Sequence, residues 1–203
     1  MNQLGDLLAR IPRILSATEG VLGASYFGSV AKGSTDRFSD IDLVVHASMD
    51  AGWDVVRRLH QELTIVLFRP FSEDRRPSGR YWFAHTNPFA RLDVSFFEAE
   101  EYAALLARGR GVAQPPFRAL MLEGPVGPPV ADVVLPTWSE SEFRAAGLLR
   151  TFQEVAKGEA REHWIISTPG DVQREFEAYW DAGRLPMAVQ LYRSSVEVLN
   201  RSV

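Results

Sequence analysis

Gly28-Ser29, a spacer of ten residues and then Asp40-Ile41-Asp42 set a turn able to hold phosphate just ahead of two carboxylates able to hold a metal. From Tyr26 to Val45 the chain is apolar at both ends and small or polar between, which predicts strand, turn, strand. Side chains alternate along a strand, so Asp40 and Asp42 share one face while Ile41, Leu43 and Val45 share the other. A later strand candidate repeats the device, with Leu92, Val94 and Phe96 on its apolar side and Asp93 opposite them beside Ser95. If the two strands are neighbours, the third acid joins the first two.

Carboxylates so placed repel. At about 6 Å and an effective dielectric of about 20, each pair costs on the order of 3 kcal/mol, and a divalent cation reverses the sign. A set of hard oxygen donors without a nearby His or Cys selects Mg²⁺ or Mn²⁺ over zinc, and Mg²⁺ favours a few carboxylates together with substrate phosphates. Gly28 lets the backbone come close to a ligand, Ser29 offers a hydroxyl and an amide, and a short helical turn through Val30 to Lys32 would aim further amides at an anion. Lys32 could add a point charge.

The elements that must position these groups can be read on either side of them. Leu4, Leu7, Leu8, Ile11, Ile14 and Leu15 recur at helical spacing, and Pro12 should kink that helix or start a new one. Strands are expected near 21–27, 41–46, 63–68, 80–85 and 91–97, with a helix near 51–61 whose Val55, Val56 and Leu59 face inward, a loop at 69–79, and a helix over 98–108. The segment 109–136 is rich in proline and glycine and reads as a connection, with at most short pieces of structure near 117–122 and 130–135. Beyond it the pattern is helical. Thr137 and Glu140 form a capping box ahead of Phe143, Ala146, Leu149, Phe152 and Val155, Thr168-Pro169 starts a helix with Phe176, Tyr179 and Trp180 on its apolar side, and Leu185-Pro186 opens a last one. The expected domains are a core over 1–110, a connection over 111–136 and a helical domain over 137–203.

The 203 residues, 46% apolar and 24% charged, suit a globular protein with a real core. A net charge of −4 disfavours a long nucleic acid as partner, and the pairs Arg57-Arg58 and Arg75-Arg76 read as solvated surface. The absence of cysteine excludes a thiolate nucleophile and cysteine zinc sites and fits a reducing compartment. No signal-peptide run and no stretch of about 18 apolar residues is visible, so a soluble cytoplasmic protein without a membrane partner is expected.

Gly28-Ser29, the spacer, Asp40-x-Asp42 and the later strand with Asp93 together resemble the nucleotidyltransferase superfamily, which includes DNA polymerase beta, the aminoglycoside and lincosamide nucleotidyltransferases and small bacterial antitoxins. The spellings Gly-Ser-x-Ala-Lys-Gly and Ser-Asp-Ile-Asp-Leu are similar to the bacterial branch, and the resemblance covers about residues 20 to 100. It implies an α+β fold, a mixed β-sheet flanked by helices and followed by a C-terminal helical domain. It further implies that Asp40, Asp42 and Asp93 are catalytic and bind two Mg²⁺, or Mn²⁺, and that Gly28, Ser29, Lys32 and Ser39 lie on the nucleotide. The reaction so implied moves a nucleoside monophosphate from a nucleoside triphosphate, ATP by expectation, to a hydroxyl of a small acceptor such as an antibiotic, releasing pyrophosphate. A Glu serves as base in some relatives, and Glu98 and the glutamates of the helical region are equal guesses for it here.

Other readings compete. The same core serves regulatory or antitoxin-type proteins that modify or bind a partner protein, although those tend to be little more than the core. Ser29-Val30-Ala31-Lys32 is also the Ser-x-x-Lys of serine acyl-enzymes, but Ser-Asp-Asn and Lys-Thr-Gly are missing and three acids stay unexplained. In a catalytically silent scaffold the acids would be solvated strand ends. His46, His60, His85 and His163 show no ligand spacing, and only His85 invites a check for a substrate contact. Trp164, Tyr179 and Trp180 read first as helix core, second as a stacking surface for an acceptor ring. Arg91, two residues before Asp93, could pair with that acid or meet a phosphate.

Overall fold

The computed structural model describes residues 3–36, 38–71, 77–84, 90–109, 118–120, 122–130 and 153. The chain divides into two compact units, one of Met1–Thr86 with Ala90–Leu135 and one of Asn87–Phe89 with Pro136–Val203. Apart from Gln153, every described residue lies in the first. The helices expected beyond 137, the aromatic residues Trp164, Tyr179 and Trp180, and the histidines 85 and 163 fall outside the described residues, as does most of the connection over 111–136.

Among the described residues ten elements follow in order: α1 (Gln3–Ser16), β1 (Val21–Phe27), α2 (Gly28–Lys32), β2 (Ile41–Ala47), α3 (Met49–Leu63), β3 (Ile65–Pro70), β4 (Gly79–Phe83), β5 (Leu92–Phe97), α4 (Ala99–Gly109) and β6 (Arg118–Ala119). The strands form one sheet in the order β3-β4-β5-β2-β1-β6, in which β2 and β5 run parallel and every other pair is antiparallel. A parallel pair needs a long crossover, and here α3 with the β3–β4 hairpin supplies it. The result is the expected mixed α+β core.

α1 does not restart at Pro12. It runs unbroken from Gln3 to Ser16, with Leu4, Leu7, Ile11, Ile14 and Leu15 all buried. Packing of that apolar stripe, partly against α3, outweighs the one backbone hydrogen bond that a mid-helix proline removes. α3 buries Val55, Val56, Leu59 and Leu63, begins at Ser48, whose hydroxyl accepts from the Ala51 amide at 3.3 Å, and is longer at both ends than its apolar spacing alone suggests.

The two faces of the sheet are covered differently. Ile41, Leu43, Val45, Leu92, Val94 and Phe96 are buried on the face against which α3 packs, close enough that a Cβ on Gly52 would press on the Phe96 ring. On the opposite face α4 lays Tyr102 over the distal end of β2, stacked on His46 with ring centroids 4.9 Å apart and within 3.3 Å of the Ser25 hydroxyl. That packing accounts for His46. Asp42 and Asp93 lie on the same face, further along the strands. No described helix is long and apolar enough to cross a membrane.

Candidate functional site

Parallel pairing of β2 with β5 sets Asp42 beside Asp93 in register, and Asp40 directly precedes β2. One carboxylate oxygen from each of Asp40, Asp42 and Asp93 lies within 4.8 Å of the others. At that separation an effective dielectric of about 20 makes each ionised pair repulsive by about 3 to 4 kcal/mol. The strands therefore hold together three groups that would separate if left to themselves.

Two arginines answer part of that charge. Arg91, only 2% exposed in its side chain, donates from Nε to Asp93 Oδ1 at 3.1 Å and from an Nη to Asp40 Oδ2 at 2.5 Å. Its own carbonyl accepts from the Ile41 amide at 2.9 Å, which ties the entry of β5 to the entry of β2. Arg80 stands directly across from Asp93 in the β4–β5 register and donates from Nε to Asp93 Oδ2 at 3.0 Å. On its other side the Arg80 guanidinium lies 4.8 Å from the centre of the Phe71 ring. Of the two roles open to Arg91 in the sequence, pairing with the acid is the one seen. Burial raises the Asp93 carboxyl above the ordinary carboxylate value, the neighbouring Asp40 pushes the same way, and Arg91 and Arg80 oppose both.

The turn at Gly28 is shaped by its neighbour. Gly28 has φ +61°, in the left-handed region, and a Cβ there would collide with the Asp42 carboxylate. Glycine lets the backbone lie against the acid. Ser29, half-buried, opens the first turn of α2, and Lys32 is exposed in its last. The helix stops at Gly33, φ +68°, where the Ser34 amide bonds the Ser29 carbonyl at 3.0 Å and the Gly33 amide that of Val30 at 3.3 Å, a Schellman closure. The turn and the acids are thus adjacent, at the carboxyl end of β1 and the amino ends of β2 and β5.

Ser39 differs in setting from its companions. It is 1% exposed, its hydroxyl donates to Asp36 Oδ1 and accepts from the Asp36 amide, both at 2.9 Å, and its own amide bonds the Asp36 carbonyl. With Phe38 buried beside it, Ser39 closes the loop that delivers Asp40. Glu98, one of the guesses for a base, lies beyond the far end of β5. Five residues of strand from Asp93 correspond to about 16 Å, so it is not part of this cluster. Arg57 and Arg58 are not simply solvated, since Arg57 pairs with Asp54 at 2.6 Å and Arg58 donates to the Pro128 carbonyl.

Arg80 was not singled out by spacing. Its signal is a charge directly ahead of the apolar run Tyr81-Trp82-Phe83, and only the register across the β4–β5 pair turns that charge into a partner for Asp93.

The donors present fit a hard divalent cation: three carboxylates converge, and no sulfur or imidazole joins them among the described residues. Residues 8–71 match the family model described as nucleotidyltransferase domain, a span that takes in the turn at Gly28, Asp40 and Asp42 and ends before Asp93. No curated protein matches the chain.

Proposed function

We propose that this nucleotidyltransferase-type core transfers a nucleoside monophosphate from a nucleoside triphosphate, ATP in the first instance, to a hydroxyl of a small acceptor, with pyrophosphate as the leaving group. The observation that carries the reading is the convergence of Asp40, Asp42 and Asp93 within 4.8 Å beside a turn whose glycine touches one of them. Bound Mg²⁺ or Mn²⁺, two ions in the full reading, would be held by the three aspartates and would supply charge stabilisation for the entering and leaving oxygens of an in-line displacement.

The protein's own groups have distinct tasks. Ser29 and the first amides of α2 meet the terminal phosphates, with Lys32 as a nearby positive charge. Arg91 fixes the spacing of Asp40 and Asp93. In the transfer the acceptor oxygen bonds the α-phosphorus, the bond from that phosphorus to pyrophosphate breaks, and the hydroxyl proton passes to Asp93 or to water. A cytoplasmic setting and an antibiotic as acceptor belong to the same reading.

The test is a screen of nucleoside triphosphates against hydroxylated acceptors, antibiotics and candidate partner proteins among them, read by pyrophosphate release with Mg²⁺ and with chelator. Metal-dependent release that Asp42→Asn abolishes is the expected result. A chain that releases no pyrophosphate with any triphosphate, and whose melting temperature no metal–nucleotide pair raises, would overturn the reading. Release that occurs only with a protein acceptor would move the reaction to the regulatory, antitoxin-like class.

A further inference from the structure

An in-line displacement puts the entering oxygen and the leaving pyrophosphate on opposite sides of the α-phosphorus. The turn at Gly28 and Ser29 ends β1, and the sheet continues from there through β2 with Asp42 and β5 with Asp93 to β4 and β3. With the terminal phosphates at the turn and the reacting centre at the three aspartates, β4 and β3 are left for the acceptor. Arg80 stands across from Asp93 on one side and from Arg69 on the other, so all three share the face of the acids. The Phe71 amide bonds the Ser78 carbonyl at 3.0 Å, which carries the β3–β4 ladder past Pro70 and brings Phe71 up on the face of Arg69. There its ring lies 4.8 Å from the Arg80 guanidinium, which is itself anchored on Asp93. The other aromatic side chains of β3 and β4, Phe68, Tyr81, Trp82 and Phe83, are buried, whereas Phe71 is 42% exposed. An oriented ring kept in solvent one guanidinium away from Asp93 is ready for a second flat partner.

We propose that Phe71 is the stacking platform for the acceptor, and that the acceptor carries a flat ring beside the hydroxyl that receives the nucleotide. The inference rests on the nucleotidyl-transfer reading and names the chemical class of the acceptor within it. Stacking on Phe71 places the ring beyond Asp93 and directs its hydroxyl back across that acid to the α-phosphorus, opposite the pyrophosphate. Arg80 stays where it is, holding the ring of Phe71 from one side.

The experiment is ligand-observed NMR on the whole chain, saturated with Mg²⁺ and a non-hydrolysable ATP analogue, with phenyl β-glucoside and methyl β-glucoside as probes. Both offer the same hydroxyls, and only the first has a flat ring. The parent should bind phenyl β-glucoside about three- to tenfold more tightly than methyl β-glucoside. Phe71→Ala and Phe71→Leu should each reduce that preference to less than about twofold, and Phe71→Trp should keep it. Leucine retains most of the apolar volume, so its failure to support the preference identifies stacking and not general burial. The rise in melting temperature that Mg²⁺ with the analogue produces should be the same in all three variants as in the parent. A parent without the preference, a preference that survives both Phe71→Ala and Phe71→Leu, or a loss of nucleotide binding in those variants overturns the proposal. Failure of the wider reading looks different: no metal–nucleotide pair would raise the melting temperature of the parent itself, and the acceptor assignment would fall with it.

Discussion

The same two parallel strands carry a group of three carboxylates at each end, and only one group is built to converge. At the amino ends of β2 and β5, Asp40, Asp42 and Asp93 bring oxygens within 4.8 Å of one another and are braced by two arginines. At the carboxyl ends, Glu98, Glu100 and Glu101 border a cavity of about 490 Å³ with an apolar wall from Ala47, Met49 and Phe96, and no basic side chain is among its described lining residues. Those glutamates are exposed at the start of α4, where the helix dipole favours negative charge by about 0.3 to 1 kcal/mol each. Local structure explains them. The aspartates are held close by the pairing of β2 with β5 and by ion pairs from Arg91 and Arg80, and their three converging oxygens are the donor set that a hard divalent cation takes.

The largest expected difference between the ends is chemical. Asp40→Asn or Asp42→Asn should reduce metal-dependent pyrophosphate release by at least about a thousandfold, given the several kcal/mol that such ions contribute. A variant with Glu98→Gln, Glu100→Gln and Glu101→Gln together should stay within about twofold of the parent. Equal losses would dissolve the contrast.

The braced end also needs its buried cation. Arg91→Met strands Asp40 beside Asp93 with one partner fewer and should cost about 3 to 5 kcal/mol of folding stability in urea titrations. Arg57→Met, at the partly exposed pair with Asp54, should cost less than about 1 kcal/mol.

Two glycines in the left-handed region separate strain from collision. Gly33→Ala meets no atom within 4 Å and should cost about 1 kcal/mol, whereas Gly28→Ala meets the Asp42 carboxylate as well and should cost roughly twice that and weaken Mn²⁺ binding. Similar losses at both positions would mean that the turn at Gly28 can move away from the acid.

The smallest effect concerns Tyr26, across from Leu43 on β1 and next to the acid end. Its hydroxyl is buried without a partner, and burial pushes its pKa up to about 12, with Arg118 opposing. A folded value above the unfolded value near 10 means that this stabilising term is complete below pH 10 and disappears as pH rises through about 12. Tyr26→Phe should leave stability at pH 7 unchanged or raise it by up to about 1 kcal/mol, and should flatten the fall of stability above pH 10, part of which Tyr81 retains. An alkaline slope identical to the parent's would contradict this.

The core sheet was largely legible in the residues. Alternation in Ile41–Ala47 and Leu92–Phe97 marks two half-buried strands and puts Asp42 and Asp93 on their minority face, so convergence needed only that the strands be neighbours. Where local reasoning failed, a contact distant in sequence prevailed. Pro12 stays inside a helix because five buried apolar residues hold it there, and Glu98 is carried away from the three aspartates by the length of β5. Arg80 was silent because a register thirteen residues long, not a spacing pattern, makes it a partner of Asp93.

Anomalous X-ray scattering from crystals soaked with Mn²⁺ and a non-hydrolysable nucleoside triphosphate tests the central claim most directly. The account predicts a manganese peak bonded to Asp40, Asp42 and Asp93 at about 2.2 Å, with the triphosphate reaching the turn at Gly28 and Ser29. Manganese at Glu98, Glu100 and Glu101, or no peak among the three aspartates, would contradict it.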